Sequence, residues 1–205
     1  MKEDKKEIIL DTAERLFSEQ GFDGTSTRAI AHEAGVNMAM LNYYFGSKEG
    51  LYKAVFERKL SDFHQTLTNL NEQNISPWEK LHQYIDVYVD RIARQSCFQR
   101  LIQQEISMQQ QRSGVTDYIA DTLVRNVDEL KKILREGIEN GSFRKIDIDM
   151  TVATIFGTKY YVTHLSALAA RVLQTDLDNE TTLQQEIKPR IKKHLTDLLD
   201  AHLRA

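Results

Sequence analysis

The chain has 205 residues, with 27 Lys and Arg against 30 Asp and Glu and a net charge of −3, a length that suits one large domain or one domain plus a small module. A single cysteine, Cys97, excludes a disulfide scaffold and a four-cysteine zinc site and suits a reducing, cytoplasmic setting. The mild acidity excludes a nucleic-acid binder that works through bulk charge, though not a sequence-specific one, and no run approaches the roughly 20 apolar residues of a membrane span.

In chain order, the charged start MKEDKKEIIL lacks the apolar core of a secretory signal. Ile9, Ala13, Leu16 and Phe17 form one helical stripe. Gly21 ends that helix, and Phe22 folds back onto it. Short helices are predicted from Thr27 to Ala34, stopping at Gly35, and from Met38 to Phe45, stopping at Gly46. Ser47 opens a long one with Leu51, Val55, Phe63, Leu67 and Leu70 inward. Ser76-Pro77-Trp78-Glu79 is a capping box with proline in the first turn, and it starts a helix carrying Leu81, Ile85, Tyr88, Val89 and Ile92. A shorter helix is predicted over Phe98 to Met108 and a long one over Asp117 to Asn140, ended by Gly141. Asp147 or Asp149 caps the next, which is predicted to run to about Leu173. The last spans Thr181 to Leu203, with a kink or restart at Pro189, which lacks a backbone donor. No stretch alternates with period two, so the fold is predicted to be all-α. Five of the nine glycines precede residue 51, marking a turn-rich module ahead of long helices.

Two short helices joined by Gly35-Val36-Asn37 have the dimensions of a helix-turn-helix. Ala31 is small where the second helix crosses, Gly35 supplies a left-handed turn, and Asn37 suits the N-cap of the second helix. Ile30, Val36 and Leu41 fill the core between them. Around this pair, residues 4–60 resemble the DNA-binding domain of the tetracycline-repressor (TetR) family. The matching pieces are Ala13-Glu-Arg-Leu-Phe, Gly21-Phe-Asp-Gly-Thr-Ser-Thr-Arg-Ala-Ile-Ala, Ala34-Gly-Val and Tyr43-Tyr-Phe-Gly-Ser-Lys-Glu-Gly-Leu.

The resemblance implies a helix-turn-helix DNA-binding domain over residues 1–47, its family-type module extending to about 64, and a ligand-binding and dimerisation domain over 48–205. It implies a recognition helix from Met38 to Tyr44 in the major groove, including Ala39, Met40, Asn42 and Tyr43 and capped by Asn37. Thr27 and Arg28 would meet the DNA backbone, with Arg28 able to reach a base, and Tyr43 and Lys48 would anchor phosphates. The sequence departs from the family at Asn42, usually Tyr, and Tyr44, often His. Met38 and Met40 are apolar where many relatives are polar. Asn42 has the chemistry to pair with adenine, and the methionines to touch thymine methyls. Residues 1–60 hold nine Lys and Arg against ten Asp and Glu, so even this module is not basic. Most of the acids lie in the first helix, and helix N-termini near Thr27, Met38 and Ser47 are expected to face phosphates.

Beyond residue 76 the aromatics at helical spacing are by default core. The resemblance places an effector pocket among these helices, with Tyr84, Tyr88, Arg100, Gln103, Glu105, Tyr118, Phe156, Tyr160 and His164 as candidate lining. For His164 the first reading is a satisfied interior or interface histidine, with pocket lining second. The resemblance also implies a dimer interface on the last helices, carried by Val152, Ile155, Phe156, Lys159, Ile187, Ile191, Leu195 and Leu198. The implied function is a transcriptional regulator, a homodimer on near-palindromic double-stranded operator DNA, acting as a repressor released by a small molecule. The alternative is a helical ligand-binding or catalytic bundle that has lost DNA binding. The six histidines show no zinc spacing, so no metal, cofactor or catalytic residue is expected.

Overall fold

The computed structural model describes residues 2–91, 98, 101–102, 104–105, 114–177 and 179–204, with the backbone alone for 2–4 and 164. Among these residues every regular element is helical and no strand occurs, as the periodicity predicts. The first helix, α1 (Lys2–Gly24), is interrupted at Gly21, whose φ of 72° breaks the helical path. Phe22 then returns to stack on Phe17, 5.9 Å between centroids, and meets Tyr52 edge-on at 4.9 Å. Next come α2 (Thr27–Glu33), α3 (Met38–Phe45) and α4 (Lys48–Asn71).

Helix α5 (Pro77–Asp90) starts where the capping box puts it. Glu79 N donates to Ser76 Oγ at 3.2 Å and Ser76 N to Glu79 Oε2 at 2.9 Å. The Ser76 hydroxyl, which donates to Glu79 Oε2 at 2.7 Å, and the Ser76 N–H together hold the Glu79 carboxyl below its ordinary range. Of the predicted helix over Phe98 to Met108, Phe98, Leu101, Ile102, Gln104 and Glu105 are helical; its other residues lie outside the described ones. Helix α6 covers Val115–Glu139.

The structure departs from the predicted helices after Asp147 and refines the predicted restart at Pro189. The predicted helix running on to Leu173 is two: α7 (Ile148–His164), capped by Asp147, and α8 (Ser166–Leu173). They part at Leu165, with φ −105° and ψ 36°, and the new helix starts by bonding Ala169 N to Leu165 O at 2.8 Å. Pro189 does restart its helix, through an intermediate form. One turn at Glu180–Thr182, capped by Asn179, widens into a π-turn over Leu183–Ile187 before α9 (Lys188–Leu203). Proline withholds an N–H and crowds the carbonyl four residues back, and the wider turn absorbs the mismatch.

The chain divides into two compact units, residues 1–64 with 95–124 and residues 65–94 with 125–205. The first has a continuous core of Ile9, Leu16 and Phe17 from α1, Ile30 from α2, Leu41 from α3 and Leu51, Val55 and Phe56 from α4, joined by Phe98, Leu101 and Ile119. In the second, Leu81 and Ile85 of α5, Leu130, Ile133 and Leu134 of α6, Ile155 of α7 and Leu195 and Leu199 of α9 are buried. Each such side chain contributes about 1.5–3 kcal/mol by leaving water. Among the described residues no helix is long and apolar enough to cross a membrane.

Candidate nucleic-acid interface

The geometry of α2 and α3 is fixed by local bonds that their sequence encodes. Ser26 Oγ accepts from Ala29 N at 3.0 Å and caps α2. Behind it, the buried Thr25 hydroxyl donates to Leu16 O and Gly21 O, tying the start of α2 to α1. At the other end Ala34 N bonds Ile30 O and Val36 N bonds Ala31 O, both at 2.9 Å. Between them Gly35 stands at φ 63°, in the left-handed region where glycine meets no steric penalty. The chain thereby reverses in three residues and delivers Asn37, whose Oδ1 accepts from Met40 N at 2.8 Å and caps α3.

Leu41 is fully buried, and Tyr44 and Phe45 pack partly against the same core, which sets the rotation of α3. Ala39, Asn42 and Tyr43 consequently face solvent, Tyr43 being 76% exposed. Met38 and Met40 are half-buried, with Met38 against the core. Arg28 is exposed near the start of α2, and Thr27 is half-buried at its first position. A third helix end is capped at the start of α4, where Ser47 Oγ accepts from Gly50 N at 3.0 Å. Gly50 has no room to be anything else: a Cβ there would stand 2.2 Å from Phe45 O. Lys48 lies with its ammonium 4.4 Å from the Phe22 ring centroid.

The acids of α1 are drawn toward α4. Arg58 meets Glu7 at 2.8 Å, Asp11 at 2.9 Å and Glu14 at 3.1 Å, and Lys59 adds a contact to Glu14 at 3.3 Å. Three carboxylates thus converge on one largely buried guanidinium, with the Lys59 ammonium as a second cation. Sequence reasoning missed Arg58. The signal was the spacing of Glu7, Asp11 and Glu14, an acidic helix face that needs a cationic partner.

The candidate effector residues fall in both units. Tyr84 and Tyr88 of α5 are buried and stacked at 5.9 Å, and Phe156 of α7 packs on Tyr88 at 5.2 Å. Tyr160 is more than half exposed. Glu105 and Tyr118 belong to the other unit. There the buried Glu105 carboxylate accepts from Tyr52 OH at 3.1 Å and Thr116 Oγ1 at 2.8 Å, and the Tyr118 hydroxyl lies 3.5 Å from Ser61 Oγ. Arg100 and Gln103 lie outside the described residues, as does the His164 side chain.

Of the residues expected at a dimer interface, Val152, Ile155, Ile187, Ile191 and Leu195 are buried within the second unit, and Phe156 and Lys159 are partly so. Leu198 is exposed. The other exposed apolar side chains along α7 and α8 are Met150, Tyr160, Leu165, Leu168 and Val172.

Two family models match the chain. Residues 9–55 match the model of bacterial regulatory proteins of the tetR family, and residues 77–191 match the tetracyclin repressor-like C-terminal domain. The chain is 25% identical over 190 residues to the HTH-type transcriptional regulator RutR of Escherichia coli strain K12, covering 90% of this chain and 85% of that one. It is 29% identical over 148 residues to the HTH-type transcriptional repressor NicS of Pseudomonas putida, covering 72% and 69%. A TetR transcription regulator from Haloarcula marismortui shares the fold at a TM-score of 0.74, with 18% identity over 98% of this chain and 100% of that one. The hemolysin II transcriptional regulator HlyIIR gives 0.59 at 29% identity, over 96% and 99%. With more than half its length matched by the C-terminal model and its head matched by the N-terminal one, the chain belongs to the TetR family of DNA-binding transcriptional regulators.

Proposed function

We propose that the protein is a homodimeric repressor in which two copies of α3 read the half-sites of a near-palindromic operator, and that a small molecule releases it. Residues 1–47 serve as the reading head and 48–205 as the ligand-binding and dimerisation half. The observation that carries this is the outward face of α3: Ala39, Asn42 and Tyr43 stand exposed on a helix whose cap and rotation are locked. Asn42 reads a base edge, Tyr43 and Lys48 hold phosphates, and Thr27 and Arg28 set the register on the backbone. With the α1 acids held to Arg58 and Lys59, the near-neutral head approaches DNA through few, placed contacts and oriented helix ends. Exposed Met150, Tyr160, Leu165, Leu168, Val172 and Leu198 support self-association through the last helices. Effector and operator are linked by a coupling free energy, typically about 1–3 kcal/mol, and no residue is assigned a catalytic role.

Retardation of DNA from upstream of the protein's own gene tests this. A specific shift that disappears with a fraction of cell extract is expected, together with a shallow dependence of affinity on salt. No specific shift in low salt, with or without extract, would remove the regulator assignment.

A further inference from the structure

Tyr84 and Tyr88 lie one turn apart on α5, at 0% and 2% exposure, with their rings parallel to within 16°. Each hydroxyl is buried and has no hydrogen-bond partner among the described residues. Buried hydroxyls are ordinarily satisfied, and two on successive turns make a local deficit of acceptors. Lys159 of α7 brings its ammonium to 5.3 Å from the Tyr88 ring centroid. It meets no carboxylate among the described residues, whereas Lys80, Lys131, Lys188 and Lys192 of the same unit each pair with one. Phe156, one turn before Lys159, packs on Tyr88 and adds apolar surface.

We propose that Lys159, Tyr84 and Tyr88 form the anion-reading corner of an effector site, for a ligand whose carboxylate or phosphate is carried on an apolar body. The assignment takes as given the effector-binding role proposed above for this half of the chain. The chemistry is that of an oxyanion receptor. One ammonium supplies charge, two phenol hydroxyls supply directed donors, and the aromatic rings supply an apolar wall. Burial, with the positive charge of Arg91, lowers the Lys159 ammonium to about 8, so the site carries an uncompensated cation that a bound anion would stabilise. A purely packing role would explain the stacked rings, but not two unpaired donors beside an unpaired ammonium.

Calorimetric titration of the full chain with octanoate, octyl phosphate and octan-1-ol separates charge from body, since all three carry the same eight-carbon tail. At least one anion is expected to bind at one site per chain at least tenfold more tightly than the alcohol, and the two anions distinguish carboxylate from phosphate. Lys159→Met should weaken anion binding at least tenfold and leave the alcohol unchanged. Lys159→Arg, which keeps the charge, should retain the preference, and Tyr84→Phe and Tyr88→Phe should each weaken it about threefold. Circular dichroism confirms that each variant is folded. Equal binding of the alcohol and both anions, or anion binding undiminished in folded Lys159→Met and Tyr88→Phe, would overturn the proposal. Operator retardation run in parallel keeps the two claims apart. Anion preference without operator release upholds the site and removes its effector role, whereas operator release by extract without anion preference overturns the site alone.

Discussion

Two buried polar clusters, one in each compact unit, answer the same physical problem differently. In the first unit the Glu105 carboxylate sits 3% exposed and is met by Tyr52 and Thr116, so donors and acceptor are matched inside the protein. In the second unit Tyr84 and Tyr88 bury their hydroxyls without a partner among the described residues, beside an ammonium that has none either. A satisfied cluster rigidifies a core, while an unsatisfied one is tolerated only where something else repays it. The contrast separates residues that look alike in sequence. Glu105 behaves as a joint between Tyr52 of α4 and Thr116 of α6, and the tyrosine pair behaves as a receptor.

The largest break in this comparison is expected from Glu105→Leu. It removes the shared acceptor of the Tyr52 and Thr116 hydroxyls from a buried site, and the loss should be about 2–3 kcal/mol in urea unfolding. A loss below about 1 kcal/mol would mean the joint is dispensable. Next in size is Arg58→Met, which removes the cation shared by Glu7, Asp11 and Glu14. Glu7 and Asp11 are more than half exposed, so solvent screening reduces the effect to about 1–2 kcal/mol, smaller still at high salt. Smallest is Tyr88→Phe, which deletes a donor that has no acceptor and should be neutral or stabilising by up to about 1 kcal/mol. A marked loss there would mean that the hydroxyl is paired and the contrast false.

The Lys159 ammonium sharpens the comparison through pH. Its folded value of about 8 lies below its ordinary 10.5, so the folded chain sheds the proton first. The cost of burying the charge is present in full below pH 8 and is relieved as pH rises toward 10.5, so wild type should gain stability relative to Lys159→Met across that window. Tyr88 does not interfere, because burial holds its phenol above its ordinary 10. Thermal melts of the two proteins at pH 7 and pH 10 measure the difference directly, and parallel pH profiles would contradict it.

Where structure is set by neighbours in sequence, the sequence was legible. Asn37 capping α3, the Ser76–Glu79 box and the Gly35 reversal are each decided within four residues. The break at Leu165 was not, because no glycine or proline marks it. Partners distant in sequence were equally hidden. The acidic face of α1 can be read, but Arg58 lies 44 to 51 residues further on. Lys159 shares a helical stripe with Val152, Ile155 and Phe156, and periodicity alone does not say that its ammonium lies over Tyr88. Leu41, the one buried residue of α3, is the apolar position the sequence assigns to the core, and Ala39, Asn42 and Tyr43 are exposed as expected, whereas Met38, Met40 and Tyr44, expected on the same DNA-facing set, are half-buried.

Selection of bound duplexes from a random-sequence pool, run with wild type and Asn42→Ala, tests the central claim most directly. Wild type should enrich a near-palindromic site bound by two chains. Asn42→Ala should keep the half-site spacing and lose discrimination at one symmetric pair of positions, by about 1–3 kcal/mol. Enrichment of no sequence by wild type, or an unchanged site with Asn42→Ala, would contradict the assignment of α3 as the reading helix.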